Sequence, residues 1–217
     1  MTAVLSEITQ GFADPVHGAQ QTFRCVLDAM SRPGRIFKLP LSSLDGLEPL
    51  PAKAGARSMD MATTAVLLAL LDGETSIRLH GSLASDAALL GLQFHTGVRG
   101  AMPGEAGAFE AWRASEMPPR VWSALERGSD EVPQRGATLI VEVAGLGEAV
   151  AGAEPLLSLT GPGIESTRAL AVAGVPASFW RERIALEPMF PRGIDLLLVH
   201  GTRVAALPRS TRISLEA

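Results

Sequence analysis

Four histidines, one cysteine and an arginine-rich set of basic residues are the groups in this 217-residue chain most able to do chemistry. The histidines are His17, His80, His95 and His200. No two are spaced three or four residues apart, so no helix presents a histidine pair to a metal. All four read as structural; His95, at the end of a helical pattern, is placed to meet the helix dipole. A single cysteine, Cys25, permits neither an intrachain disulfide nor a thiolate zinc cage. It stands beside Arg24 in a helical pattern with no base next to it, which reads as a small core residue rather than a nucleophile. No G-x-S-x-G elbow is present, and no two carboxylates are spaced for acid–base work. Pyridoxal phosphate chemistry needs a Schiff-base lysine. The only lysines, Lys38 and Lys53, do not follow the later strands where such a residue is expected.

Anion binding is what remains. Two of the 19 basic residues are lysines and the rest are arginines, whose guanidinium grips phosphate-type oxyanions in a bidentate fork. Leu159-Thr160-Gly161-Pro162-Gly163-Ile164 follows a strand pattern, and such a turn can aim amide N–H groups at a phosphate. It is not a G-x-G-x-x-G fingerprint, and Pro162 removes one donor. The candidate oxyanion site is therefore Arg24, Arg32 and Arg35 with Gly161 and Gly163. No catalytic residue, metal ligand or cofactor-binding residue is expected.

The elements that must position these groups follow from periodicity. Asp14 caps a helix over 14–30, with Pro15 at its first position and apolar residues at helical spacing through Met30. Ser31-Arg32-Pro33-Gly34 stops it, and Arg35 to Leu39 reads as a short strand. Residues 40–58, punctuated by proline and glycine, read as a connection long enough to be mobile or functional. Asp60 caps a second helix, 61–71, apolar nearly all round and so buried on several sides. Further helices are expected at 85–94, 118–127 and 176–184. Strands are expected at 76–80, 109–112, 137–143, 155–160, 194–199 and 204–207, the last two joined by a turn at 200–203. Helices alternate with strands, then strands cluster near the end. That order predicts a three-layer α/β sandwich with a mixed sheet, antiparallel at one edge.

Composition bounds the rest. With 47% hydrophobic and 19% charged residues the chain is too apolar for disorder, and it is long enough to bury a core without staples. It is read as one domain over 1–217, residues 1–11 being flexible. The longest strongly apolar run, 66–71, is too short to span a bilayer, and no secretory leader is visible, so a soluble cytoplasmic protein is expected. A net charge of −4 disfavours a nucleic-acid partner. Trp112, Trp122 and Trp180 are candidate interface anchors, though a core place suits each better.

Phe12-Ala13-Asp14-Pro15-Val16-His17-Gly18-Ala19-Gln20-Gln21-Thr22-Phe23-Arg24 and Leu27-Asp28-Ala29-Met30-Ser31-Arg32-Pro33-Gly34 resemble the opening of the PhnH family, the H subunit of the bacterial carbon–phosphorus lyase system. Phe94-His95-Thr96, Gly136-Ala137-Thr138-Leu139-Ile140, the 159–164 turn, Phe190-Pro191-Arg192-Gly193-Ile194-Asp195-Leu196 and Ala206-Leu207-Pro208-Arg209-Ser210-Thr211 continue the match in order. The resemblance covers about 12–213. It implies an α/β/α sandwich like the large domain of pyridoxal-phosphate-dependent transferases, without the cofactor lysine or the cofactor. It implies a non-catalytic subunit working with the G, I and J subunits and, functionally, the ATP-binding L subunit. The joint reaction transfers ribose triphosphate from ATP to an alkylphosphonate. A homodimer is implied for the isolated chain. The alternative is an independent anion- or phosphate-binding protein, or an enzyme, of the same fold.

Overall fold

Asp14 begins the first helix as its side chain predicts: the carboxylate accepts the His17 amide at 3.0 Å, with Pro15 in the first turn. A computed structural model describes residues 8–102 and 104–216. Helix α1 (Pro15–Ser31) buries Gly18, Thr22, Cys25, Val26 and Ala29 on one side. Strand β1 is only Phe37–Lys38. Helix α2 (Met61–Leu70) is buried over six consecutive residues from Ala62, as an all-round apolar helix should be. Then come β2 (Ser76–Leu79), α3 (Asp86–Thr96), β3 (Arg99–Gly100), β4 (Phe109–Arg113), β5 (Thr138–Glu142) and β6 (Gly145–Gly147). The chain closes with β7 (Leu156–Thr160), β8 (Arg168–Ala173), α4 (Ala177–Ala185), β9 (Asp195–His200), β10 (Arg203–Leu207) and β11 (Arg212–Glu216).

Seven strands form the main sheet in the order β1-β10-β9-β5-β4-β2-β3. From β9 to β3 the neighbours are parallel; β10 and β1 join antiparallel, giving the mixed sheet with one antiparallel edge. Its central strands are apolar on both faces. Ile140, Leu197, Val199 and Ala206 face a cluster built with α1, α2 and α3. Leu139, Val141, Leu196, Leu198 and Leu207 face a second cluster. Period-two alternation thus feeds two cores from one sheet.

The second core departs from the expected helical layer. It is covered by a four-stranded sheet, β11-β7-β8-β6, antiparallel throughout, together with the single helix α4. The helix expected over 118–127 is a single tight turn, Val121–Ala124. Arg120 sits at φ 61°, a left-handed conformation that cannot continue a right-handed helix from the prolines before it, and Leu125 is already extended. The turn persists because Val121, Trp122 and Leu125 are anchored in the second core, where the indole N–H of Trp122 donates to the Phe179 carbonyl at 2.9 Å. Trp180 is buried and Trp112 packs on the same cluster, so the tryptophans are core residues. Residues 1–7 of the expected flexible start lie outside the described residues. Residues 8–11 are irregular but held, the Thr9 carbonyl lying 2.8 Å from Nε2 of His95.

Candidate functional site

Open α/β sheets bind ligands beyond the carboxyl ends of their parallel strands. Here those ends bring Arg113 of β4 beside Glu142 of β5, which are partners in register. The Glu142 side chain is 1% exposed and accepts from Arg113 Nε at 2.9 Å, Arg57 Nη2 at 3.4 Å and the Asp60 amide at 2.5 Å. Arg113 also donates to Ser82 Oγ at 2.8 Å and to the Ser58 carbonyl at 2.9 Å. Asp60 pairs with Arg57, and its other oxygen accepts the Gly201 amide at 2.9 Å. The 57–60 stretch is therefore pinned across the strand ends. Asp60 does not cap α2 through its side chain, because its carboxylate is committed here. Glu142 is surrounded by donors, so its lone pairs are taken up by the fold.

The histidines are likewise committed. His80 stacks on Trp112 with centroids 3.9 Å apart and planes 9° from parallel, and its Nε2 meets the buried carboxylate of Glu110. The other Glu110 oxygen accepts the Gly107 amide at 2.8 Å. His200 Nδ1 faces the Val143 carbonyl at 3.0 Å, and His17 Nε2 lies 2.5 Å from the side-chain nitrogen of Gln21. Among the described residues no group of three or more His, Cys, Asp or Glu is placed to hold a metal ion. Cys25 is buried, and burial pushes its thiol up to about 11, with Asp28 adding to the shift. Lys38 and Lys53 are both exposed.

The predicted oxyanion residues come only partly together. The 161–163 turn packs against the end of α1. Gly163, at φ 83°, touches that end so closely that a Cβ there would run into the Ser31 carbonyl oxygen. Arg32 and Arg35 both lie over the Phe37 ring, with Cζ at 5.9 and 5.6 Å from its centroid. Arg32 also pairs with Asp28 at 3.3 Å. Arg24 lies eight residues before Arg32, about 12 Å along the helix. Arg168, a residue the sequence reading passed over, joins this junction: a Cβ on Gly34 would lie 3.1 Å from its Cδ. On the other side of the turn, Gly161 and Pro162 border a cavity of about 380 Å³ with Glu187, Phe190, Arg209 and Arg212. Arg209 is clamped to Asp195, Nη2 to Oδ2 at 2.6 Å.

Three stretches singled out in the sequence, 159–164, 190–196 and 206–211, thus meet at this cavity. The model of the family described as bacterial phosphonate metabolism protein (PhnH) matches residues 10–214. The chain belongs to the PhnH family. A curated relative from Rhizobium meliloti (strain 1021), alpha-D-ribose 1-methylphosphonate 5-triphosphate synthase subunit PhnH, is 34% identical over 216 residues, spanning 100% of both chains. A second, the putative C-P lyase subunit protein HtxG of Stutzerimonas stutzeri, is 35% identical over 202 residues, covering 91% of this chain and 86% of its own.

For a PhnH-family chain the informative residues are those the sequence reading missed. The 57–60 stretch, Arg113 and Glu142 are distant from one another in sequence, and Arg113 and Glu142 meet only through parallel strand register. The sequence carries no signal for their meeting, because neither the adjacency nor the register of β4 and β5 can be read from it.

Proposed function

We propose that this chain is a non-catalytic, cytoplasmic subunit of a carbon–phosphorus lyase core complex. In this reading it acts with the G, I and J subunits and, functionally, with L, in moving ribose triphosphate from ATP onto an alkylphosphonate. Full-length similarity to a relative named as a synthase subunit carries the reading. The packing supports it: the strand ends that hold ligands in open α/β sheets are occupied by the chain's own Arg57–Asp60 stretch and its ion pairs. A kinship with the large domain of pyridoxal-phosphate-dependent transferases belongs to the same proposal, supported by the mixed sheet with its antiparallel edge. So does a homodimer of the isolated chain.

The alternative is an independent oxyanion-binding protein using Arg24, Arg32, Arg35 and the 161–163 turn. Its support is the contact between that turn and the end of α1. Affinity capture of the tagged chain from host cells grown on a phosphonate as sole phosphorus source, weighed by native mass spectrometry, separates the two. Stoichiometric recovery with G, I and J supports the subunit; recovery alone, with those subunits expressed and intact, overturns it.

A further inference from the structure

We infer that the exposed face of α1 and the basic junction at its end form the docking surface for a different protein chain, one that presents apolar side chains flanked by carboxylates. The inference rests on the subunit reading above and adds where the contact lies and what chemistry it uses.

Val16, Phe23 and Leu27 follow one another at intervals of seven and four residues, which places them on a single strip of α1. They are 68%, 43% and 51% exposed. The opposite side of the helix, through Gly18, Thr22, Cys25, Val26 and Ala29, already supplies its contribution to the core. A single exposed apolar side chain needs no explanation, but a strip running three turns along one helix is a surface unmatched among the described residues.

Positive charge borders the strip. Arg24 lies beside Phe23 and Leu27 and is exposed. At the helix end Arg32 and Arg35 flank Phe37, exposed Lys38 follows, and Arg168 packs at Gly34. The Nε of Arg168 is buried without a hydrogen-bond partner among the described residues. Three carboxylates stand nearby in sequence: Asp14, which caps the start of α1, Asp28, matched to Arg32, and Glu165, two residues beyond Gly163, against five cations. This is a local excess of cations on a chain whose net charge is −4.

Charge and apolarity together select the occupant. A small oxyanion would meet the arginines and leave the strip bare, and so would a nucleic acid. A second copy docked about a two-fold axis would set this cationic patch against itself. A different chain with an apolar ridge and acidic flanks satisfies both halves of the surface.

The test co-expresses the tagged chain with the host's G, I and J subunits and weighs the captured assembly. Three variants are compared: Phe23→Glu with Leu27→Glu, Arg24→Glu with Arg35→Glu, and Phe94→Glu on α3, a control at an apolar residue that is 58% exposed. Capture should fall at least about tenfold in the first two and be unchanged in the control. Capture by the unaltered chain should weaken between ~0.1 and ~0.5 M salt, as screening requires. Thermal melts verify that each variant is folded. Equal capture by all variants, or equal loss in the control, overturns the inference and leaves the subunit reading standing. No capture by the unaltered chain overturns both. Binding of inorganic phosphate or of single-stranded RNA that is lost in the arginine variant, with subunit capture intact, assigns the cations elsewhere and also overturns it.

Discussion

Buried charge at Glu142 sets the first expectation at the residue scale. Its carboxylate holds Arg113, Arg57 and the Asp60 amide, so deleting it leaves the buried Arg113 guanidinium without its carboxylate and the Asp60 amide without its acceptor. Glu142→Ala is expected to cost about 3–5 kcal/mol in urea unfolding, and pairing it with Arg113→Met should return part of that loss. Cys25 gives a pH dependence. Burial first, and Asp28 second, raise its thiol from 9.0 to about 11. The folded state therefore disfavours the thiolate. The resulting stability is fully present below pH 9 and is lost as pH rises toward about 11. Cys25→Ala should remove that component of an alkaline stability profile. At pH 8 a thiol reagent should label the native chain at least about a hundredfold more slowly than the unfolded chain.

Turns and registers decide what happens at the scale of elements. Gly163 and Gly55 both have positive φ, 83° and 81°, but only Gly163 abuts another segment. Gly163→Ala should lose about 2–4 kcal/mol in chemical denaturation, whereas Gly55→Ala, with open space around it, should lose about 1 kcal/mol. The contrast between the two variants isolates the contact of the 161–163 turn with α1 from backbone strain alone. Sequence alone located α1, because its cap, its proline and its period agree, and β5, because β-branched residues fill it. It overlooked β8, whose Ala-rich run 168–173 carries a weak strand signal and is fixed by pairing with β7 and β6. It gave 118–127 a helical form because Val121, Trp122 and Leu125 share helical spacing, a spacing that a single anchored turn satisfies equally well once Arg120 is left-handed and Leu125 extended. The Arg113–Glu142 pair was beyond its reach, since two strands 29 residues apart reveal neither adjacency nor register until the sheet is assembled.

For the molecule as a whole, the distribution of surface charge and exposed apolar groups is the quantity that bears on assembly. The isolated chain should behave as a small, folded species, and on the proposed subunit reading its binding should respond to ionic strength, with association rates falling more steeply than lifetimes as salt rises, checked by surface-immobilised kinetics against the proposed partners G, I and J. The main sheet has a further consequence. Its outermost strands, β1 and β3, are two residues each, and β1 ends on exposed Lys38. Seven strands thus finish with scarcely any open hydrogen-bonding ladder on either flank. Copies of the chain cannot polymerise by continuing this sheet from one molecule to the next. Crowding at high expression should therefore not yield fibres built by extending this sheet.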